Sequence, residues 1–191
     1  CEQLTGARFT TSYTRVGGQV RDLPDGFLTS LETFLDECSQ TIDEISNLLD
    51  RNKIYLKRMI DIGTISADDA ITWGMTGPNL RGSGVTRDLR KDNPYLGYEN
   101  YDFDIPIGEN GDCYDRYLCR MEEMRQSVSI IRQACEKLRN EPGDVMARGK
   151  MTQPTRGDMK ASMEALIHHF KLYTEGFHVP EGEVYAAVEA P

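Results

Sequence analysis

Three histidines, five cysteines and a handful of adjacent carboxylates are the side chains whose types could do chemistry in this 191-residue chain. His168 and His169 are neighbours, and His178 follows ten residues on. Adjacent positions on a helix point about 100° apart, so His168 and His169 cannot close on one metal ion as a pair four residues apart could. Cys135 and His169 have the types of a thiol–imidazole pair, but they fall in separate helical patterns, and a core role fits each better. The cysteines (Cys1, Cys38, Cys113, Cys119 and Cys135) are odd in number and irregularly spaced, without a Cys-x-x-Cys. That pattern gives no paired ligands for a metal and reads as buried free thiols of a reducing compartment. No metal is expected on this chain. Glu122-Glu123, Asp68-Asp69 and Asp102-Asp104 read as solvated faces and helix caps. No Gly-x-Gly-x-x-Gly, phosphate loop or Gly-x-Ser-x-Gly elbow occurs. Arg81-Gly82-Ser83-Gly84 has backbone N–H groups to offer an anion, though a tight turn is the simpler reading.

The elements that must carry these residues are mostly helical. Residues 1–5 read as a helix end closed by Gly6. Arg8 to Gly18 is rich in β-branched and aromatic residues and stops at a glycine pair, so it is extended or turn-like. From Phe27 to Leu49 apolar residues recur every three or four positions, which predicts a helix over about 25–50. Ile54–Ile62 is a short apolar run before Gly63. Ser66-Ala67-Asp68-Asp69 is a capping box opening a short helix that ends at Gly74. Residues 74–111 are broken by glycines and by Pro78, Pro94 and Pro106, and they predict a long irregular stretch of the kind that serves a partner or a site. Within it, Tyr101, Phe103, Ile105 and Ile107 alternate with polar residues as a half-buried strand would.

A second long helix is expected after Asp112, with Leu118, Met121, Met124, Val128, Ile131, Cys135 and Leu138 inward. A third is expected from the capping box at Thr155–Asp158 to Gly176, with Met159, Met163, Leu166, Phe170 and Tyr173 inward. Glu183 to Glu189 has a strand pattern without a partner. Three helical stripes that must be buried predict a mainly α fold with small β elements, a bundle of three long helices. The expected organisation is one domain: an extended loop over 1–24, helical 25–73, irregular 74–111, two long helices over 112–176 and a terminal strand over 183–191.

Charged residues make up 28% of the chain and the formal net charge is −9. An acidic chain is repelled by nucleic acid and by anionic lipid, which excludes both as main partners. No run approaches the roughly 18 apolar residues of a spanning helix. The chain opens Cys1-Glu2-Gln3-Leu4, without an initiator Met or a signal-like segment, and is expected to be an internal piece of a longer protein, with surface left exposed that favours self-association. The basic loop from Arg81 to Lys91 has Asp88 and Asp92 interleaved and suits a solvated or subunit-facing role. Pattern reasoning alone stops at a soluble, mostly helical domain.

Four stretches carry a resemblance. They are Thr5-Gly-Ala-Arg-Phe-Thr-Thr-Ser-Tyr-Thr-Arg-Val-Gly-Gly18, Leu80-Arg-Gly-Ser-Gly-Val85, Gly111-Asp-Cys-Tyr-Asp-Arg-Tyr-Leu-Cys-Arg-Met-Glu-Glu-Met-Arg125 and Ser162-Met-Glu-Ala-Leu-Ile-His-His-Phe-Lys-Leu-Tyr-Thr-Glu-Gly176. In this order they resemble the D-type subunit family of NADH-quinone oxidoreductase, respiratory complex I, which is related to the large subunit of nickel–iron hydrogenases. The resemblance implies a hydrogenase-like helical fold without the metal, truncated here at both ends. It also implies a peripheral-arm subunit beside a partner chain that holds the terminal 4Fe–4S cluster, with quinone reduced where the two meet. The chain itself would bind no flavin, NADH or cluster, and would shape and polarise the quinone cavity. Its partners would be the terminal-cluster chain and the 30-kDa-type subunit. Its place would be the cytoplasmic side of a bacterial inner membrane, or the matrix side of a mitochondrial one, reached only through the complex.

The family's main quinone-side residues would lie outside this segment. The stretch beginning at Arg8 resembles the family loop that approaches the cluster. Thr10 stands where many members have His, which removes a titratable group there. Tyr13 and Arg15 match the family and are, with Thr10, the expected cluster-side wall. A plain structural role, with Tyr13 packed and Arg15 bridged to a neighbouring subunit, remains open beside the functional one. Arg81–Lys91 is expected to dock a sister subunit. Two other readings stay open as well: a purely structural assembly surface, and a subunit of a membrane-bound energy-converting hydrogenase.

Overall fold

The computed structural model describes residues 1–188 and is mainly helical, with one small antiparallel sheet. The chain divides into two compact units. One is Cys1–Leu28 with Glu141–Val184; the other is Thr29–Asn140 with the described residues from Tyr185 on. Helix α1 (Glu2–Thr5) closes at Gly6, whose left-handed φ of 79° suits a residue without Cβ. The extended stretch forms a hairpin, β1 (Thr14–Arg15) against β2 (Gly18–Gln19), with Arg15 opposite Gly18.

The second unit opens two residues into α2 (Phe27–Leu49) and continues with α3 (Lys53–Met59) and α4 (Ala67–Thr72). Ser66 caps α4 as the box predicts, accepting a hydrogen bond from the Asp69 N–H. The stretch expected to be irregular contains three short turns of helix: α5 (Pro78–Arg81), α6 (Leu89–Asp92) and a 3-10 turn at Tyr98–Asn100. Pro78 is tolerated at the start of α5 because the first N–H of a helix has no partner to lose. Helix α7 (Cys113–Asn140) is the longest.

Helices α2 and α7 pack antiparallel. Leu35 and Ile42 meet Met121 and Val128, each pair seven residues apart, as in a coiled-coil seam. Arg125, Arg132 and Arg139, again seven apart, pair with Asp43, Asp36 and Glu32 in descending order. These partly exposed pairs contribute little each, about 0–1 kcal/mol, but they match only one register.

Helix α7 is buried on two sides, which the apolar stripe does not reveal. At about 100° per residue, Tyr117, Met121, Val128 and Ile131 face α2, while Asp115, Cys119, Glu123, Gln126 and Gln133 face the opposite way. Three residues expected on the inner stripe, Leu118, Met124 and Leu138, are 40–53% exposed, whereas Asp115 and Glu123 are buried. The second face holds residues 101–110. The strand expected there does not form: Phe103 is buried and its neighbours Asp102 and Asp104 are exposed, as alternation requires, but no strand pairs with it. Two glutamines take the strand's place. Gln133 accepts from the Asp102 N–H and donates to its carbonyl, and Gln126 accepts from the Asp104 N–H.

The third long helix is two helices, α8 (Arg156–Ala161) and α9 (Met163–Thr174), in the first unit. Ser162 breaks them: its backbone is extended and its hydroxyl accepts from the Ala165 N–H as an N-cap. A serine is weakly placed inside a helix and strongly placed at its start. No strand forms over 183–188, where Val184 and Tyr185 are 95% and 88% exposed. The rest of that expected strand lies outside the described residues. No helix of the described residues is long and apolar enough to cross a membrane.

If the glutamines substitute for a partner strand, Gln133→Ala, which removes two hydrogen bonds to the Asp102 backbone, costs about 1–3 kcal/mol, at roughly 0.5–1.5 kcal/mol for each bond. Arg132→Ala, which removes one exposed ion pair, costs about 1 kcal/mol or less. Urea titration of the chain and both variants measures the difference.

Candidate functional site

The first unit carries a cleft beside the hairpin. The connection after α7 returns to β2: Gln19 N–H donates to the Val145 carbonyl, and Ala147 N–H donates to that of Gly17. This closes a space of about 450 Å³ between Arg15, Val16 and Val20 of the hairpin, Met146 and Met151 of the connection, and Leu172 and Phe177 around the end of α9. A volume of that size suits a small organic ligand, and its mix of apolar walls with one cation is typical of such sites. Tyr173 at its edge donates to Gln153 Oε1 and packs its ring on His169, with centroids 4.8 Å apart.

Of the three residues expected to form the wall, the structure brings one to this cleft. Arg15, on β1, is exposed and lines it. Tyr13 is half-buried and donates its hydroxyl to the Arg21 carbonyl at 2.7 Å, so it fastens the hairpin to the chain that follows. Thr10 is exposed and lines no part of the cleft. Met146, Met151 and Phe177 were not legible as site residues, because nothing in their spacing marks them. A second hollow of about 380 Å³ lies between residues 144–158 and His168. There His168 Nε2 is 3.1 Å from the Thr152 carbonyl oxygen.

The second unit has a buried charged centre where an exposed basic loop was expected. Arg81 has no solvent exposure. Its Nε and Nη2 both donate to Glu123 Oε1, and its Nη1 donates to the Arg87 carbonyl at 3.0 Å and lies 3.4 Å from Asp88 Oδ2. Asp88, also fully buried, accepts from Arg90 Nε at 3.0 and 3.1 Å. The guanidinium of Arg90 and the ammonium of Lys91 lie over the buried Phe103 ring, 5.1 and 4.6 Å from its centre. Glu123 is therefore no solvated face. Desolvation of an arginine is so unfavourable that the two acidic residues are drawn in with it. Of the basic residues of that loop only Arg87 and Lys91 stay exposed.

Burial alone would raise the Asp88 carboxyl, but the hydrogen bonds and charge of Arg90, with Arg81 behind, hold it below the usual carboxylate range. Asp112 behaves alike: burial is outweighed by the N–H groups of Asp115, Asp61 and Tyr114. The Cys119 thiol is pushed up by burial and then by the Glu123 charge, and Cys135 by burial and Glu32, so neither is an activated nucleophile. The imagined Cys135–His169 pair has its two members in different units. Cys1, Cys38, Cys113, Cys119 and Cys135 are all free thiols, with Cys119 and Cys135 buried and Cys1 exposed. Among the described residues no group of three or more His, Cys, Asp or Glu gathers as a metal site.

The Leu80–Gly84 turn uses its N–H groups internally: those of Gly82, Ser83 and Gly84 donate to the carbonyls of Pro78, Leu80 and Arg81. It is a tight turn, packed close enough that a Cβ at Gly108 would sit 2.6 Å from the Gly82 carbonyl oxygen.

Residues 1–191 match the model of the family described as the 49 kDa subunit of respiratory-chain NADH dehydrogenase. The chain is 58% identical over 190 residues to the D-type subunit of NADH-quinone oxidoreductase from Ruegeria pomeroyi, covering 100% of this chain and 47% of that protein. The same subunit of Cereibacter sphaeroides is 57% identical over the same shares, and that of Parvibaculum lavamentivorans 55%, covering 100% and 48%. The chain thus spans about half the length of the curated relatives it matches.

Two outcomes test the charged centre. Glu123→Ala, which leaves Arg81 buried without its main partner, lowers stability by about 3–5 kcal/mol, while the paired change Arg81→Met with Glu123→Met recovers much of that loss. Asp88 and Asp112 are held below their unfolded values, so the stability they contribute is present above the ordinary aspartate range and is lost as pH falls through the lower folded values. Asp112→Asn therefore flattens the acid side of the stability–pH curve, as measured by urea midpoints between about pH 3 and 6.

Proposed function

Because the chain belongs to the family of the 49 kDa subunit of respiratory-chain NADH dehydrogenase, we propose that it is part of the quinone-reducing peripheral-arm subunit of that enzyme. In this reading it walls the quinone cavity beside the terminal 4Fe–4S cluster held by a partner chain. The observation that carries the reading is the cleft in which Arg15 supplies the cation and Val16, Val20, Met146, Met151 and Phe177 the apolar walls. A quinone accepting electrons develops negative charge on its oxygens, and a guanidinium offers hydrogen-bond donors and positive charge to it. Apolar walls suit the ring and exclude water, which strengthens that interaction. The chain contributes no reactive group: electrons come from the partner's cluster, and the cavity binds, orients and polarises.

The same reading assigns the terminal-cluster chain and the 30-kDa-type subunit as neighbours, and the cytoplasmic or matrix face of the inner membrane as the place of assembly. It also takes the three helical stripes as closing into one hydrogenase-like bundle in the full-length subunit. A second reading, that this segment is an assembly surface only, is favoured by Tyr13. Its hydroxyl is spent on the hairpin, and Phe9 nearby in sequence is 94% exposed. Such surface suits contact with another chain.

The two readings part at Arg15. In the assembled enzyme, Arg15→Met is expected to leave the complex intact on native gels and to slow quinone reduction about tenfold or more. Tyr13→Phe is expected to cost about 1 kcal/mol in stability with little change in rate. Loss of assembly in Arg15→Met, with normal turnover in whatever complex remains, would establish the assembly reading instead.

A further inference from the structure

Helix α3 is basic in a chain that is acidic as a whole. Its inner side packs on α7, with the rings of Tyr55 and Tyr117 edge to face at 5.4 Å. Its outer side presents Lys53, Ile54, Lys57 and Arg58, all exposed, which at about 100° per residue fall within an arc of about 140°. Arg51 precedes it and Ile60 follows, both exposed. Residues 51–60 therefore hold four basic side chains and no acidic one, in a chain of formal net charge −9.

Two features of this face are unfavourable in the chain by itself. Lys53 and Lys57 are like charges four residues apart on a helix, a destabilising spacing. Among the described residues neither flanking aspartate, Asp50 or Asp61, forms an ion pair with any of the four basic groups, although α7 and α2 are laced with such pairs. Ile54 and Ile60 stand in the same neighbourhood at 70% and 43% exposure. Isolated apolar residues on a surface need no explanation, but isoleucines set among unpaired cations have the make-up of an interface, with apolar contact and a charged rim.

We infer that the outer face of α3, from Arg51 to Ile60, is a docking surface for an acidic segment of another protein chain. Charge selects the occupant. A partner with carboxylates relieves the Lys53–Lys57 repulsion and supplies the missing counter-ions, while an apolar side chain covers Ile54. An anionic membrane surface is the poorer fit, because the remainder of the chain is strongly acidic and α3 offers only two short turns. The inference rests on the reading that this chain works inside a multi-chain enzyme.

A zero-length carbodiimide cross-linker tests it in the intact, purified complex, since it joins a lysine amine only to a carboxylate in direct contact. Peptide mapping is expected to find Lys53 or Lys57 joined to an Asp or Glu of a different chain. The yield of that link should fall about threefold or more when salt is raised to roughly 0.5 M before reaction, because exposed ion pairs are screened. In Lys53→Glu/Lys57→Glu complexes the same partner's occupancy, read by mass spectrometry, should fall by a similar factor while the variant subunit's melting curve is unchanged. If links form between chains elsewhere on this subunit but none from α3, the inference fails and the multi-chain reading stands. If the full-length subunit purifies without companion chains, that reading fails too. Binding of the full-length subunit to vesicles of phosphatidylcholine and phosphatidylglycerol, abolished by the same double substitution, would overturn the inference in favour of a lipid surface.

Discussion

A guanidinium without solvent contact leaves the protein around it little freedom, and Arg81 sets the terms for much of the second unit. Its donors reach Glu123 on α7, the Arg87 carbonyl and the Asp88 carboxylate, so α5, the loop after it and the middle of α7 are tied at one point. The tie is costly to break from one side, because the surviving charge has no water to turn to. Asp88 then holds Arg90, and Arg90 with Lys91 lies against Phe103, which brings the extended segment 101–110 onto the same face of α7. Asp115 completes that arrangement from below by accepting from the N–H groups of Glu109 and Asn110.

This explains why α7 reads poorly as an amphipathic helix. It has an apolar face toward α2 and a polar face that is also covered. Periodicity sees the first and takes the second for solvent. The helix itself, its start after Asp112, the α2 helix and the caps at Ser66 and Thr155 were all legible, since each depends on local residue types. What was not legible depended on distant partners. The alternation held from Tyr101 to Ile105 and failed at Ile107, which is exposed, and the hydrogen bonds of the segment went to Gln126 and Gln133 on a helix. Arg81 looked like a surface cation because Glu123 lies 42 positions away. Ser162 is the local exception: its cap partner Ala165 is three residues on, but the break was hidden inside an otherwise continuous stripe.

The candidate site divides in the same way. Arg15 was accessible from family likeness, and it lines the cleft. Tyr13 came with it but fastens the hairpin, and Thr10 stays in solvent. The methionines and Phe177 that give the cleft its apolar character come from a connection with no period and from a helix end, where no pattern announces a wall. The first unit thus joins a hairpin from one end of the chain to a helix from the other, with the cleft where they meet. The thiols of Cys119 and Cys135 are neutralised by burial and the carboxylates of Asp88 and Asp112 are engaged. The chemistry proposed here accordingly comes from binding and polarisation rather than from a nucleophile or a general base.

In the proposed function, quinone sits against the Arg15 cleft. An azido-quinone, photolysed in the assembled enzyme under turnover and competed with unlabelled quinone, reads this directly. Competable adducts are expected on peptides carrying residues 16–20, 146–151 or 172–177. Competable labelling of other parts of the enzyme, with these peptides clean, would contradict it.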